Sequence, residues 1–254
     1  MSSKLDLSRE LTGRRALVTG GTRGIGAAIA QRLLDAGARV VVTARSRGDA
    51  PAGAIFVAGD VSTAEGVNAV AKEALAALGG LDILVNNAGG GRSFPEGTAS
   101  ITDQEWQSSF ALNLFAAVRL TNAVLPALRA SKAAAIVNLS STAATMPFPA
   151  FANYCAAKAA LDMYSRTLAV ELASSGIRVS VVSPGPVKTP GGEATRKELS
   201  DALGTDGDTF EQYVPLGRYG TPDDVAEVVA LLTSDRGSWL TGGNLRVDGG
   251  MTAR

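Results

Sequence analysis

The strongest constraint on the fold is the regular alternation of short, continuously apolar runs with longer segments apolar on one face. Ala16-Leu17-Val18, Val40-Val41-Val42, Ala54 to Val57, Ile83-Leu84-Val85, Ile136 to Leu139, Ile177 to Val182 and Leu245 to Val247 read as strands. Between them, Ile25 to Leu34, Thr63 to Leu78, Thr102 to Ala130, Ala152 to Ala173 and Pro222 to Thr233 carry helical spacing. Asp103 to Trp106 has the acidic character of a helix opening, and Thr221-Pro222 reads as a cap followed by a first-turn proline. A strand apolar at every position is covered on both faces, which calls for a parallel sheet between two helical layers. The expected architecture is α/β: a doubly wound parallel sheet of Rossmann type, three layers α/β/α, in a single domain. Residues 1–12 read as an N-terminal extension and 13–254 as the domain. The stretch from Thr189 to Val214, rich in glycine, threonine and charge, reads as a mobile flap over a substrate.

Composition narrows the chemistry. Among 254 residues there is no histidine, and Cys155 is the sole cysteine. This excludes an internal disulfide, the usual zinc ligand sets, and Ser-His-Asp or Cys-His nucleophiles, so no metal is expected. Lys plus Arg equals Asp plus Glu at 24 each, which gives no reason to expect nucleic acid or an anionic membrane as partner. No apolar run stands out as membrane-spanning, and Met1 to Leu11 lacks a signal-peptide core. A cytoplasmic protein is the expectation.

Between the first strand and first helix lies Thr19-Gly20-Gly21-Thr22-Arg23-Gly24-Ile25-Gly26. Glycines there let the backbone turn tightly and let a pyrophosphate approach free N–H groups at the helix start. The spacing is Gly-x-x-x-Gly-x-Gly; alone, it is also compatible with a turn that merely packs helix on strand. At the end of the second strand an NAD-selective site would place a carboxylate on the adenosine ribose. Here the residues are Thr43-Ala44-Arg45-Ser46-Arg47. Arg45, together with Arg23, suits a 2′-phosphate, so NADP(H) is favoured while NAD(H) stays open. Asp60-Val61 is placed to meet adenine, and Asn86-Asn87-Ala88-Gly89 to let backbone lie close to the cofactor.

Without histidine, proton transfer needs another group. Tyr154 and Lys158 stand one helical turn apart, and Ser141 lies thirteen residues before Tyr154. A neighbouring ammonium favours the phenolate, so a lowered tyrosine pKa is expected.

Together these residues resemble the short-chain dehydrogenase/reductase family, of its roughly 250-residue type. The matching set, in order, is Thr19-Gly20-x-x-x-Gly24-x-Gly26, Asp60, Asn86-Asn87-Ala88-Gly89, Asn113, Ser141, Tyr154-x-x-x-Lys158, Pro184-Gly185 with Thr189, and the ending Gly242 to Gly250. The resemblance implies Tyr154 as general acid in carbonyl reduction and base in alcohol oxidation. Lys158 would tune it and bind the nicotinamide ribose. Ser141 would hold the substrate oxygen, and Asn113 a water in a proton relay. Gly20, Thr22, Arg23, Gly24, Ile25, Gly26, Arg45, Asp60, Val61, Asn87, Ala88, Gly89, Pro184, Gly185, Val187 and Thr189 would join Tyr154 and Lys158 around the cofactor. The resemblance also implies a homotetramer; the small residues Ala156, Ala157, Ala159 and Ala160 permit close packing between subunits or on the chain's own sheet. Cys155 points about 100° away from Tyr154 and reads as packing.

The substrate is a small carbonyl or alcohol. Its expected walls are residues 90–94, 143–151 and 186–213, with Phe94, Met146, Phe148, Phe210 and Tyr213 making them apolar; Arg92 reads as an exposed loop residue more than as a carboxylate anchor. Within the family, an NAD-dependent alcohol dehydrogenase and a reductase of beta-ketoacyl groups on acyl carrier protein are the alternatives. The carrier-gripping positions keep Arg129 and Lys132 but have no base in Ala173 to Gly176. A nucleotide-sensing protein without catalysis is the alternative of another class. An extended-fold dehydratase or epimerase would need a larger C-terminal region.

Overall fold

The computed structural model describes residues 6–203 and 211–253. Seven strands form one parallel sheet in the order β3-β2-β1-β4-β5-β6-β7. They are β1 Arg15–Thr19, β2 Arg39–Ala44, β3 Ile55–Ala58, β4 Ile83–Asn86, β5 Ala135–Leu139, β6 Arg178–Pro184 and β7 Asn244–Val247. The helices are α1 Gly24–Asp35, α2 Ala64–Leu78, α3 Asp103–Phe110, α4 Ala116–Arg129, α5 Ala152–Leu172, α6 Pro190–Leu203 and α7 Pro222–Thr233.

Strand alternation divides the core in two. Leu17, Val41, Leu84, Ile136 and Val179 face a cluster with Val70 of α2, Leu120 of α4 and Leu172 of α5. Ala16, Val18, Val42, Val85 and Val182 face Ile29 and Leu33 of α1 and Val225 and Val229 of α7. Each fully buried Leu, Ile or Val contributes about 1.5–3 kcal/mol over its exposed state, which accounts for the apolar majority of these strands. Helix starts are fixed locally: Thr63 caps α2, and Thr102 with Glu105 and Thr221 with Asp224 form reciprocal capping boxes on α3 and α7.

Four sequence expectations are altered. The helix expected from 102 to 130 runs over Asp103–Arg129, but a π turn, Ala111–Phe115, lies within it between α3 and α4. The expected flap contains the helix α6, of about four turns, because Pro190 is preset for a helix start and the Thr189 hydroxyl accepts from the Gly192 N–H at 3.1 Å. The remaining expected contact there, Phe210, lies outside the described residues. The N-terminal extension ends inside the fold: Leu11 is fully buried and its N–H bonds Ala36 O at 2.9 Å. By length and composition, Asp103–Arg129 is apolar enough to cross a membrane, contrary to the sequence expectation; here α4 buries its apolar face against α2 and the sheet. Of the α5 alanines, Ala157 packs on the chain's own sheet and Ala159 faces outward.

A chain of polar side chains crosses the core behind the strand ends. Asn86 Nδ2 donates to Asn138 Oδ1 at 2.8 Å and to Thr121 Oγ1 at 3.3 Å; Asn138 Nδ2 donates to Ser165 Oγ at 2.8 Å. Asn138 is wholly enclosed. Asn138→Ala strands the buried Asn86 and Ser165 groups, with an expected cost of about 2 kcal/mol in urea unfolding at an unchanged m-value.

Candidate active site

The winding of the sheet reverses between β1 and β4, and a groove opens beyond their C-terminal ends. Thr19 and Asn87 close the junction. The Thr19 hydroxyl accepts from the Asn87 and Ala88 N–H groups at 3.0 and 2.9 Å, and Asn87 Nδ2 returns bonds to Thr19 O and Gly20 O at 2.8 and 3.2 Å. Gly26 lies so close that a Cβ would meet Gly20 O at 2.2 Å and Asn87 Nδ2 at 2.4 Å. Gly20 and Gly24 take φ of +63° and +54°, so the glycine spacing serves both the turn and the packing.

The groove has a volume of about 760 Å³. Every residue expected to touch the cofactor lines it, from Gly20 to Gly26 through Arg45, Asp60 and Val61 to Pro184, Gly185, Val187 and Thr189; Gly21 alone in the glycine turn faces away, toward Val42. Unlike α2, α3 and α7, α1 has no side-chain cap and no acid in its first turn. Its first N–H groups are therefore left for an anion. Arg23 and Arg45 are exposed on the rim, and no ion pair holds either among the described residues. Asp60 turns one oxygen to the Ser62 N–H and hydroxyl at 2.9 and 2.7 Å, which holds its carboxyl below the ordinary range. The Thr43 hydroxyl is buried in the groove wall with no partner.

At the deeper end, α5 and the end of β5 bring Ser141, Tyr154 and Lys158 together. Ser141 caps a turn by accepting from the Ala143 N–H at 3.1 Å, and its hydroxyl favours the Tyr154 phenolate. Gly91 lies on the tyrosine ring, where a Cβ would be 3.2 Å from Cγ. Lys158 is buried, its Nζ donating to Leu139 O at 2.8 Å and standing 5.7 Å from the Tyr154 ring centroid. Gly89 separates Lys158 from Asn113: a Cβ there would be 2.9 Å from Asn113 Oδ1 and 3.1 Å from Lys158 Nζ.

The electrostatics correct one expectation. The tyrosine pKa is raised, not lowered: burial penalises the phenolate more than the Ser141 hydroxyl favours it, and Lys158 is turned to a carbonyl. The same burial lowers Lys158 to about 8, with Asp162 acting in the opposite direction.

Asn113 does not line the groove. It sits in the π turn, where its amide donates to Gly90 O and Ser109 O at 2.9 and 3.0 Å and its Oδ1 accepts from the Gly90 N–H at 3.0 Å. Between it and Lys158 lies a cavity of about 10 Å³, bounded also by Thr19 and Asn86.

All three expected wall segments reach the groove, through Gly90 and Gly91, through Ala143, Phe148 and Phe151, and through Pro186, Thr195 and Arg196, but not every named side chain does. Phe94 is buried under the Ala150 loop, its N–H bonded to Ala150 O at 2.8 Å, and Arg92 pairs with Glu105 at 2.8 Å. Met146 and Tyr213 stand off the groove; Phe148 remains. The wall missed in the sequence is Met251. Met251 arrives because Asp248 folds the C-terminus, accepting from the Gly250 and Thr252 N–H groups at 2.9 and 3.0 Å. Cys155 is half-buried, with Sγ toward Phe148 O at 3.9 Å.

A family model described as enoyl-(acyl carrier protein) reductase matches residues 20–252. The chain is 38% identical to 3beta-hydroxysteroid dehydrogenase 1 of Eggerthella lenta, over 96% of this chain and 95% of that one. It is also 38% identical to the 3-oxoacyl-(acyl carrier protein) reductase FabG of Vibrio cholerae, over 95% and 98%. Among solved structures, L-sorbose reductase of Gluconobacter frateurii, complexed with NADPH and L-sorbose, matches with a TM-score of 0.87 at 34% identity, over 97% of this chain and 99% of that one.

Proposed function

The chain belongs to the short-chain dehydrogenase/reductase family, and from that premise we propose that it is an NADP(H)-dependent oxidoreductase interconverting a ketone and a secondary alcohol. The observation that carries this assignment is the half-buried Tyr154 brought together with Ser141 and Lys158 at the deep end of the groove. The matching family model is described by double-bond reduction, whereas the two relatives at 38% identity are named for hydroxyl and carbonyl chemistry. A phenol paired with a serine hydroxyl suits a carbonyl oxygen, which accepts from both.

The uncapped start of α1 and the exposed Arg23 and Arg45, in no ion pair among the described residues, fit a dinucleotide with a 2′-phosphate. The relative solved with NADPH supports the same choice. When bound, the nicotinamide donates the hydride to the carbonyl carbon or takes it from the alcohol.

The chain's own residues handle the proton. Ser141 holds the substrate oxygen, and Tyr154 delivers its phenolic proton to it. Burial keeps the phenol protonated through neutral pH, which is the form reduction needs. Lys158 is an ammonium below about pH 8 and stabilises the phenolate left after transfer. Asn113 fixes Gly90, and so the glycine pair beside Lys158 and Tyr154. The cavity between Asn113 and Lys158 is near the lower limit for one water, which supports a relay that reprotonates the lysine.

We also propose a homotetramer. Met163 and Val170 of α5 are 61% and 82% exposed, and Trp239 before β7 is 96% exposed, so large apolar side chains stand uncovered on the surface.

Three outcomes follow. In a carbonyl panel followed by NADPH absorbance, Tyr154→Phe lowers turnover by about 10²–10⁴-fold while NADPH fluorescence titration is unchanged; retained turnover overturns the acid assignment. The native protein binds NADPH more tightly than NADH, and Arg45→Ala weakens NADPH binding by roughly tenfold or more with NADH binding unaltered. Tighter NADH binding by the native protein removes the case for Arg23 and Arg45. Sedimentation equilibrium gives a mass of four chains, and a monomer at micromolar concentration sinks the tetramer.

A further inference from the structure

Asp162 stands one turn beyond Lys158 on α5 and is 8% exposed. An enclosed carboxylate is rare without a partner. Here Oδ2 accepts from Asn244 Nδ2, on the edge strand β7, at 2.6 Å. The Ser140 hydroxyl, beside Ser141, donates to Lys158 O at 3.4 Å and acts on the same carboxylate to favour its charged form. The other oxygen, Oδ1, is sealed from solvent with no hydrogen bond. None of these groups lies in the cofactor grip or the proton path assigned above.

Lys158 lacks a counter-ion of its own. Its ammonium bonds a carbonyl and forms no salt bridge among the described residues. The surrounding elements supply little charge. β5 offers Leu139 O and Ser140, and the π turn offers the neutral Asn113. On α3, Asp103 and Glu105 are turned to Gln107 and Arg92. On β6, Arg178 bonds Leu232 O at the far end of the strand, and on β7 Arg246 acts on Asp248. Within α5, Tyr154 is held neutral, and Arg166 acts on Asp162 together with Lys158. Among the described residues, Asp162, buried one turn further along α5, is the charge that acts on Lys158.

We propose that Asp162 is a positioning residue that keeps Lys158 in its ammonium form, with Asn244 and Ser140 clamping the carboxylate behind it. The proposal rests on the assignment of Tyr154 and Lys158 as the proton-handling pair. It makes the edge strand part of the site: β7 reaches the lysine through Asn244 and Asp162 without touching substrate. Burial favours neutral lysine, and the negative charge one turn away opposes that. Removing the charge lets the ammonium lose its proton at lower pH, so carbonyl reduction fails earlier as pH rises.

The test reads the lysine directly. Protein labelled at lysine 13Cε is titrated by NMR, with the Lys158 signal assigned through Lys158→Arg. In the native protein this signal titrates near pH 8. Asp162→Asn moves its midpoint to lower pH, and the alkaline limb of kcat moves down with it, so that the ratio of kcat at pH 9 to kcat at pH 7 falls by roughly tenfold. Asp162→Glu restores both in part. Should Asp162→Asn not fold, Asn244→Ala is used: loss of its hydrogen bond weakens the carboxylate's charge and moves the midpoint the same way by less. An unmoved Lys158 midpoint in a folded Asp162→Asn protein, or failing that in Asn244→Ala, overturns the proposal. A native protein that titrates as described yet turns over no ketone or alcohol instead overturns the functional assignment and leaves the lysine–aspartate coupling standing.

Discussion

The clasp between Thr19 and Asn87 is the interaction on which the site depends. It joins the ends of β1 and β4, the two strands between which the winding of the sheet reverses. One hydroxyl accepts two backbone N–H groups, and one amide returns two bonds to the opposite backbone. These bonds satisfy backbone groups that strand pairing leaves open where the sheet ends. They also hold Gly20 and Gly26 in contact, so the start of α1 can point only into the groove. Asn86, one residue earlier, faces the opposite layer and begins the polar chain through Asn138 to Ser165 of α5. Consecutive asparagines thus tie the glycine turn to one side and the helix of Tyr154 and Lys158 to the other. The nucleotide end and the proton end of the groove are set by the same strand terminus.

Much of this was legible in the sequence because it depends on local or periodic requirements. Continuous apolar strands require two helical layers, and threonines at helix starts require caps. The glycine positions were legible because each forbids a side chain, as Gly26 and Gly89 show. The π turn was not: it adds no breaker residue, and the apolar period of 102–130 continues through it with a small slip. α6 was hidden by Gly191 and Gly192, which weaken helix propensity, while Thr189 and Pro190 fix its start. The substrate walls were the least legible. Phe94 and Phe148 are the same residue type on neighbouring loops, and tertiary packing alone sends one into the core and leaves the other in the groove.

Direction of a pKa shift was also out of reach of sequence. Spacing at i and i+4 places a lysine beside a tyrosine, and charge proximity alone would lower the phenol. Burial enters only with the tertiary fold, and here it dominates both groups: the phenol is held protonated and the lysine drawn toward neutrality. The opposed shifts have a use. A site lacking histidine needs an acid that stays loaded at neutral pH and a cation close to releasing its own proton. Enclosing both in the same low-dielectric corner provides each from a residue whose free pKa lies near 10.

That enclosure sets a limit. A lysine drawn down by burial alone would spend part of its time uncharged at neutral pH and would give the phenolate nothing to lean on. The fold meets this with charge placed behind the lysine instead of in front of it. A carboxylate in the groove beside Lys158 would repel the substrate oxygen and quench the ammonium in a direct ion pair. Set one helical turn away and held by Asn244 and Ser140, Asp162 supports the ammonium through its field and leaves the ammonium's face toward the tyrosine uncovered. The cost is a buried carboxylate with one unbonded oxygen, whose own pKa is raised by the same burial. Two groups of opposite sign, each destabilised by enclosure, thereby sustain each other's charge across one turn of α5.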